Sequence, residues 1–523
     1  MKIKLLCFFF VSVFYAYNQF ACAQLTFHKT YGTNLQENSV LGADHTYDGG
    51  YITLTWTIAS SSDINNYLVK TDQSGNLMWT KTLDATDNLL GRAIKQTSDN
   101  GFIIVGDIVP TGSNIPEAHL IKTDSVGVPL WSKQLPSPSG SIAQDVLVLP
   151  GGEIVIVGQF GNDIFLIKLD IAGNTMWTKI YSFQGIQAGY QLCQTSDGGF
   201  AVTGIFQLGQ ASTSDVLLLK TDASGNLQWS RYFGTSAQDE ARSIVQTADG
   251  GYIMTGFTMP SGSLTYELLV IRTDQTGALM WSQSIGGSSM DWGFKVLNTP
   301  DGGCVIGGIS NSFGSVFYDF YLIKLAMSGT LEWSKTYGSS TTAEEARYVL
   351  ATSDGGFLFC GNIVGGAFGS GDVYLVKTDS LGNSGCFESD PPTIATTIQC
   401  TNAFAALVTT SGNAFAVSPL PIESSNVQTT VLCTNVGLNQ EEPLNSISVF
   451  PNPSNSEFTL LIDVGMNSGI ELIVRDVAGR VVEKKNFAGE TDQITFGLLL
   501  PGGFYTAELT TENQRKVVRL IKN

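Results

Sequence analysis

Ala241–Thr247 (ARSIVQT), Asp249-Gly250-Gly251, Tyr252–Thr258 (YIMTGFT), Tyr266–Thr273 (YELLVIRT), Asp274–Gly277 (DQTG) and Leu279–Ile285 (LMWSQSI) follow one another within a single stretch. Apolar residues in it recur at every second position, the period of a strand and not of a helix. Asp bonds its own backbone in tight turns, and Gly supplies the positive φ that such turns need. The stretch therefore predicts four strands, joined by two tight turns around one longer loop.

The same grammar recurs through most of the chain. The turn appears as Asp48-Gly49-Gly50, Asp99-Asn100-Gly101, Pro150-Gly151-Gly152, Asp197-Gly198-Gly199, Asp249-Gly250-Gly251, Asp301-Gly302-Gly303 and Asp354-Gly355-Gly356, at spacings of 51, 51, 47, 52, 52 and 53. A K-T-D-like marker follows each turn, from Lys70-Thr71-Asp72 to Lys377-Thr378-Asp379. Trp79, Trp131, Trp177, Trp229, Trp281 and Trp333 then open a fourth strand. Four strands in about 50 residues is the signature of one β-propeller blade. A parallel β-helix would need much shorter coils, and the two-residue alternation excludes helical repeats.

Counting leads to a closure. The first two markers number seven, the Trp strands six, and Cys386 stands where a seventh Trp belongs. Phe27-His28-Lys29-Thr30-Tyr31-Gly32 aligns with Trp333-Ser334-Lys335-Thr336-Tyr337-Gly338. The expectation is an all-β chain: a seven-bladed β-propeller over 24–386, closed by an N-terminal outer strand that removes an exposed edge. The repeat resembles the bacterial delta-60 and quinoprotein-like propeller repeats. That resemblance implies a fold and no particular activity.

Composition narrows the function. The 523 residues carry a formal charge of −18 and only 14% charged residues. There is no basic excess to release the counterions of nucleic acid, so nucleic acid is not an expected partner. Three histidines (His28, His45, His119) leave little for a His-rich metal site. No cofactor, no metal site and no catalytic residue is expected, and no P-loop, zinc motif or nucleophile elbow is present.

Both ends read as addresses. Lys2 and Lys4, the apolar run Leu5–Val11 and Ala21-Cys22-Ala23 make residues 1–23 a signal peptide, cut between Ala23 and Gln24. Its apolar core is shorter than a membrane span, and no span is expected in the mature chain. Residues 387–445 lose the repeat and are rich in Thr, Ser, Asn and Pro, the composition of an extended linker. Residues 446–523 read as a small antiparallel β-sandwich. They carry Pro451-Asn452-Pro453, then Asp476 with Gly479-Arg480, then Gly502 and Tyr505, then a basic end over Arg515–Lys522. In that order the motifs resemble the type A sorting domain of the type IX secretion system. The resemblance implies passage across the outer membrane, partnership with the type IX machinery and its sortase, and a product released or held at the cell surface.

The mature cysteines divide in two. Cys193, Cys304 and Cys360 fall on strands and read as small buried apolar residues. Among Cys386, Cys400 and Cys433 one disulfide is expected in an oxidising compartment.

Candidate site residues are those that break the repeat. The D-x-S-G-N segments look like ion loops but lack the distal acid, so Asp capping a hairpin is the simpler reading. Variation concentrates in the loops between strands two and three and between strand four and the next strand one, which share one face. Arg92, Asp239, Glu240, Arg242, Asp291, Trp292, Glu344, Glu345 and Arg347 are the ligand-binding candidates there. The recurrence of Asp239–Arg242 as Glu344–Arg347 also fits a structural acid–Arg pair. The expected function is a surface binding or adhesion module for an extracellular glycan or protein. The rivals are a secreted glycoside hydrolase or lyase using the acidic loop residues, and a structural surface component.

Overall fold

Alternate residues of each strand face opposite neighbours, and this alternation sets the architecture. In Ile154–Phe160, Ile154 and Ile156 point to one side with Phe165 and Ile167. Val155 and Val157 point to the other with Ile164 and Leu166. A strand covered on both faces must be apolar at nearly every position, which is why these runs read as unbroken β-branched stretches. Burying one such side chain contributes roughly 1.5–3 kcal/mol.

The computed structural model describes residues 25–522, apart from residues 33–35, 59–63, 86, 209–212, 260–264, 314–316, 340, 366–370, 413–415, 419–421, 425–427, 437–446, 451–455, 463–469, 477–479, 488–492 and 511–514. Ala23, Gln24, Pro451, Asn452, Pro453 and Gly479 lie outside the described residues. Every regular element among those described is a strand. The chain divides into two units, and residues 24–435 belong to one of them.

Within that unit the described residues form seven five-stranded antiparallel sheets. Four strands of sheet five are Asp239–Gln246, Tyr252–Thr258, Glu267–Thr273 and Leu279–Gly286. Sheets one to six follow this plan in chain order. Sheet seven takes Ala343–Ala351, Phe357–Val364 and Gly371–Thr378 from its own repeat. Its fourth strand is the N-terminal Leu25–Gly32, with Phe27 opposite Lys377 and Tyr31 opposite Val373. No sheet closes on itself. The first strand of each sheet touches the first strand of the next, and that of sheet seven touches that of sheet one. The arrangement is β-propeller-like.

The sequence markers prove to be two halves of single contacts. Lys220 of the K-T-D marker is buried and pairs with Asp197 of the D-G-G turn at 2.8 Å, and it also donates to the Thr221 carbonyl at 2.7 Å. Lys70–Asp48, Lys122–Asp99, Arg272–Asp249, Lys324–Asp301 and Lys377–Asp354 repeat the pair at 2.5–3.0 Å. In sheet three Pro150 stands in the acid's place, and Glu153 pairs with Lys168 at 3.2 Å. The second Gly of the turn leaves room for the cation: a Cβ at Gly199 would sit 2.1 Å from the Thr221 carbonyl oxygen and 2.8 Å from Lys220 Nζ.

The Trp strands join neighbouring sheets. A Cβ at Gly277, where φ is +75°, would lie 2.7 Å from the Trp229 ring of the preceding sheet. Trp79 stands against Gly127, and Trp333 against Gly382, in the same way. Phe27 takes this place against Gly75, while the Tyr31 hydroxyl donates to the Gly75 carbonyl, as Tyr181 does to Gly225 and Tyr337 to Gly382.

The expected linker is the main departure. Residues 388–436 are not an extended spacer; they supply the fifth strand of every sheet, in reverse order around the unit. Glu388–Ser389 joins sheet six, Ile394–Thr397 sheet five, Thr401–Phe404 sheet four and Val408–Ser411 sheet three. Ala416–Ser418, Ile422–Ser424 and Gln428–Val436 then reach sheets two, one and seven. Backbone pairing holds this belt, helped by the residue after each Trp. Ser230 Oγ donates to the Ala405 carbonyl, and Ser282 Oγ to the Ile398 carbonyl at 2.8 Å. Ala405 and Leu407 are buried between sheets three and four. The belt covers outer edges that would otherwise present unpaired N–H and C=O groups. Cys386, just before the belt, is disulfide-bonded, whereas Cys400 within it is a free thiol.

In the second unit, two sheets are described. One holds Ile447–Phe450, Phe458–Ile462 and Gln493–Phe496; the other holds Ile470–Asp476, Val481–Phe487, Gly503–Thr510 and Arg515–Lys522. Lys522 links them by donating to the Gly497 carbonyl at 2.8 Å and lying over Phe458. Asp476 caps its hairpin by accepting from Arg480 N at 3.0 Å, and the Tyr505 hydroxyl donates to the Pro501 carbonyl at 2.8 Å. Gly502 is exposed in the turn before that strand.

Two outcomes follow from these contacts. Limited proteolysis of the mature protein should leave residues 388–412 as protected as the sheets, whereas cleavage there before any other site would restore the spacer reading. Asp197→Asn should leave the buried Lys220 without its counter-charge and cost about 1–3 kcal/mol, read as a lower urea midpoint with an unchanged slope.

Candidate functional site

A β-bulge in the first strand of each sheet builds the site. In sheets two to seven the pairing register shifts around one residue: Arg92, Gln144, Tyr190, Arg242, Phe294 and Arg347. Sheet one has a longer irregularity between Asn38 and Gly42. A bulge leaves its extra residue unpaired and re-aims the side chain. The residue before each of the six is Gly or Ala. At Gly293 a Cβ would fall 2.3 Å from Thr255 Oγ1 on the second strand of the neighbouring sheet, so close approach of the two sheets demands the small residue.

The six bulge residues, together with Leu41, line one depression. Its empty space is about 630 Å³, open solvent at the mouth included. Asp145, Gln191, Lys295 and Tyr348, each one residue further along its strand, form its deeper tier. The frame repeats, yet the side chains it presents do not.

Two of the arginines are held by an acid and two lie against a ring. Arg92 Nε pairs with Asp107 at 2.6 Å. Arg242 pairs with Glu240 two residues earlier and stacks on Tyr190, 4.4 Å from the ring centroid. Arg347 lies 5.4 Å from the Phe294 centroid. Burial pulls the Arg347 pKa down; Glu345 opposes this, while the charges of Arg242 and Arg92 add to it. The three guanidiniums therefore feel one another. Burial raises the Glu240 and Asp107 carboxyls, against the pull of Arg242 and Arg92. In the deeper tier burial holds Lys295 down to about 8, with Asp145 opposing. Lys95, next to it, is raised: burial works to lower it, but Asp44 at 2.8 Å outweighs that.

The structure sorts the sequence candidates into three groups. Arg92, Arg242 and Arg347 come together in the depression. Glu240 supports Arg242 directly, and Glu345 accepts from Ser39 Oγ at 3.2 Å and acts on Arg347 by its charge. Asp239, Asp291 and Glu344 are almost fully buried, and they fasten the incoming loops. Asp239 accepts from Thr235 N at 2.6 Å, Asp291 from Gly287 N at 2.9 Å and from Ser312 Oγ at 2.7 Å, and Glu344 from Thr342 Oγ1. Trp292 stacks on Phe257 at 5.2 Å and meets Phe294 edge-on at 5.9 Å, so it backs the depression without lining it. Gln144, Asp145, Tyr190, Gln191, Phe294, Lys295 and Tyr348 were absent from the sequence candidates. The signal for three of them, Gln144, Tyr190 and Phe294, was present: a Gly or Ala before one variable residue at the same place in six repeats.

The loop-fastening acids meet acids of the preceding sheet. Burial, then the charge of Asp319, raises Glu344 to about 7. Burial, then the charge of Asp239, raises Asp215 to about 6. Among the described residues no His, Cys, Asp and Glu cluster could hold a metal ion.

With this geometry in view, comparison with known proteins locates the address. Residues 448–523 match the family model for the secretion system C-terminal sorting domain. This sorting domain directs export through the type IX system, so the protein is destined for the cell surface or the medium, and the secretion machinery is its partner. A regulatory protein, FlaEY of Caulobacter vibrioides, is 24% identical over 279 residues, which are 46% of this chain and 29% of that protein. The chain thus spans less than a third of that relative's length. Among solved structures, polysaccharide lyase Uly1 aligns with a TM-score of 0.43 at 8% identity, over 65% of this chain and 90% of its own. A protein from Lactobacillus plantarum aligns with a TM-score of 0.36 at 13% identity, over 72% and 96%.

The two kinds of shifted acid give a pH test. Glu344 and Asp215 are raised, so their favourable contribution is complete below about pH 4 and is lost as pH rises towards 7. Asp48, Asp197, Asp249 and Asp301 are held at about 2: burial opposes their ionisation, but the neighbouring Thr hydroxyl and Lys or Arg outweigh it. Their contribution is present above about pH 4 and is lost as pH falls through 2. Urea midpoints should therefore peak in mildly acidic solution, and Glu344→Gln should flatten the decline from pH 5 to 8 without touching the acid limb. A decline unchanged by Glu344→Gln would show that this carboxyl ionises at its ordinary value.

Proposed function

We propose that this protein is a secreted or surface-displayed binding module: a seven-bladed propeller, closed by Leu25–Gly32, that presents one ligand site at the mouth of its central depression. Seven first strands in cyclic contact and the Phe27–Gly75 contact support the closure. The observation that carries the binding reading is the depression itself. Seven equivalent positions in a repeated frame bear Leu41, Arg92, Gln144, Tyr190, Arg242, Phe294 and Arg347. Rigid elements that present dissimilar side chains at one point are what asymmetric ligands need. An extracellular glycan or protein is the ligand class that fits an exported module.

The loop contacts of three acids favour binding over an enzymatic reading. The carboxylates it would use, Asp239, Asp291 and Glu344, are engaged in holding loops. The mature chain passed over glycan and extracellular-matrix arrays should show saturable retention without product formation. Turnover of any retained glycan would replace this reading with the enzymatic one. Removing residues 437–523 should leave the protein in the periplasm, and normal appearance of that truncation outside the cell would contradict the sorting role.

A further inference from the structure

Resting on the binding reading, we infer that the depression is an oxyanion site: Arg92, Arg242 and Arg347 converge on it to take a carboxylate borne by the ligand. Charge distribution makes the case. The protein as a whole carries −18, yet the lining of this one depression holds four cations (Arg92, Arg242, Lys295, Arg347) and a single carboxylate, Asp145. Like charges repel, and Arg242 and Arg92 act on Arg347 in that sense, while Asp107, Glu240 and Glu345 offset the charge from outside the lining.

These acids do not occupy every donor. Asp107 takes the Nε edge of Arg92, and Glu240 takes one end nitrogen of Arg242. A guanidinium has five N–H donors, so each arginine keeps donors to spare. The Nε atoms of Arg242 and Arg347 are buried without a hydrogen-bond partner. The Tyr190 and Phe294 rings lie 4.4 and 5.4 Å from the guanidinium carbons of Arg242 and Arg347. The Arg242 fork, paired with Glu240 and stacked on Tyr190, is pre-organised for the planar, two-oxygen geometry of a carboxylate.

The carboxylate can come from a free small molecule or from a uronate within a glycan chain, and the experiment separates the two. Calorimetric titration of the mature protein uses glucuronate, tetragalacturonate and uncharged glucose, each at low and at physiological ionic strength. Glucuronate and tetragalacturonate should bind, and glucose should not. Binding should weaken with salt. A tetragalacturonate affinity well above that of glucuronate assigns the site to a chain-borne uronate; equal affinities assign it to a free acid. Arg347→Gln should weaken anion binding roughly 10- to 100-fold. Gln144→Glu places a carboxylate in the depression without cutting an ion pair, and should weaken it comparably with the urea midpoint unchanged. Binding of glucose as tight as that of glucuronate, absence of binding by both anions, or indifference to both substitutions would each overturn the assignment. Retention of a neutral ligand on the arrays would still leave the binding reading standing.

Discussion

The seven sheets of the first unit each depend on one cation, buried in six of them. The lysine or arginine that ends the third strand reaches across the first turn to an acid, and it also caps a backbone carbonyl of its own strand. This contact fixes the register of three strands at one end. It explains why the turn needs an acid and why the second glycine cannot carry a side chain. Sheet three shows the constraint most clearly. Its turn has lost the aspartate, and a glutamate three positions on supplies the charge. The position of the acid is negotiable, but its presence is not.

With register fixed, neighbouring sheets can specialise their faces. Alternate residues pack against alternate neighbours, and the aromatic residue of one fourth strand lies on the turn glycine of the next sheet. The outer edges remain a liability, since each would offer an unpaired strand to other chains. The belt removes it at every sheet with a short stretch of polar sequence. The bulge in each first strand is one place where the frame makes no demand on the side chain, and there the residues differ from sheet to sheet. Function can change there without touching a register-setting contact.

Much of this was legible in the sequence and some was not. The four-strand unit, the turn chemistry and the N-terminal strand could be read because each rests on local signals repeated seven times, as Asp72 with Gly75 illustrates by accepting from Ser74 N and Asn76 N. The belt reads as a spacer in the sequence because most of its strands are only two to four residues long and lie in a stretch rich in Thr, Ser, Asn and Pro. Its signal was the near-seven-residue spacing of Ile394, Thr401 and Val408, which marks successive edges. At roughly 3.3 Å per residue, seven residues span about 23 Å, and the step from one edge to the next is made in that length. The acids Asp239, Asp291 and Glu344 were taken for ligand contacts because burial cannot be read from residue type. Tyr190 and Phe294 were missed because an aromatic residue in a strand looks like core until a bulge is seen to turn it outward.

The central claim is that one tier of side chains, and nothing else in the repeated frame, is built to meet a ligand. Anomalous diffraction from crystals of the mature protein soaked in bromide tests it most directly. The account predicts a bromide peak within hydrogen-bonding reach of Arg92, Arg242 and Arg347. Bromide at the turns of the opposite face, with the depression empty, would contradict it.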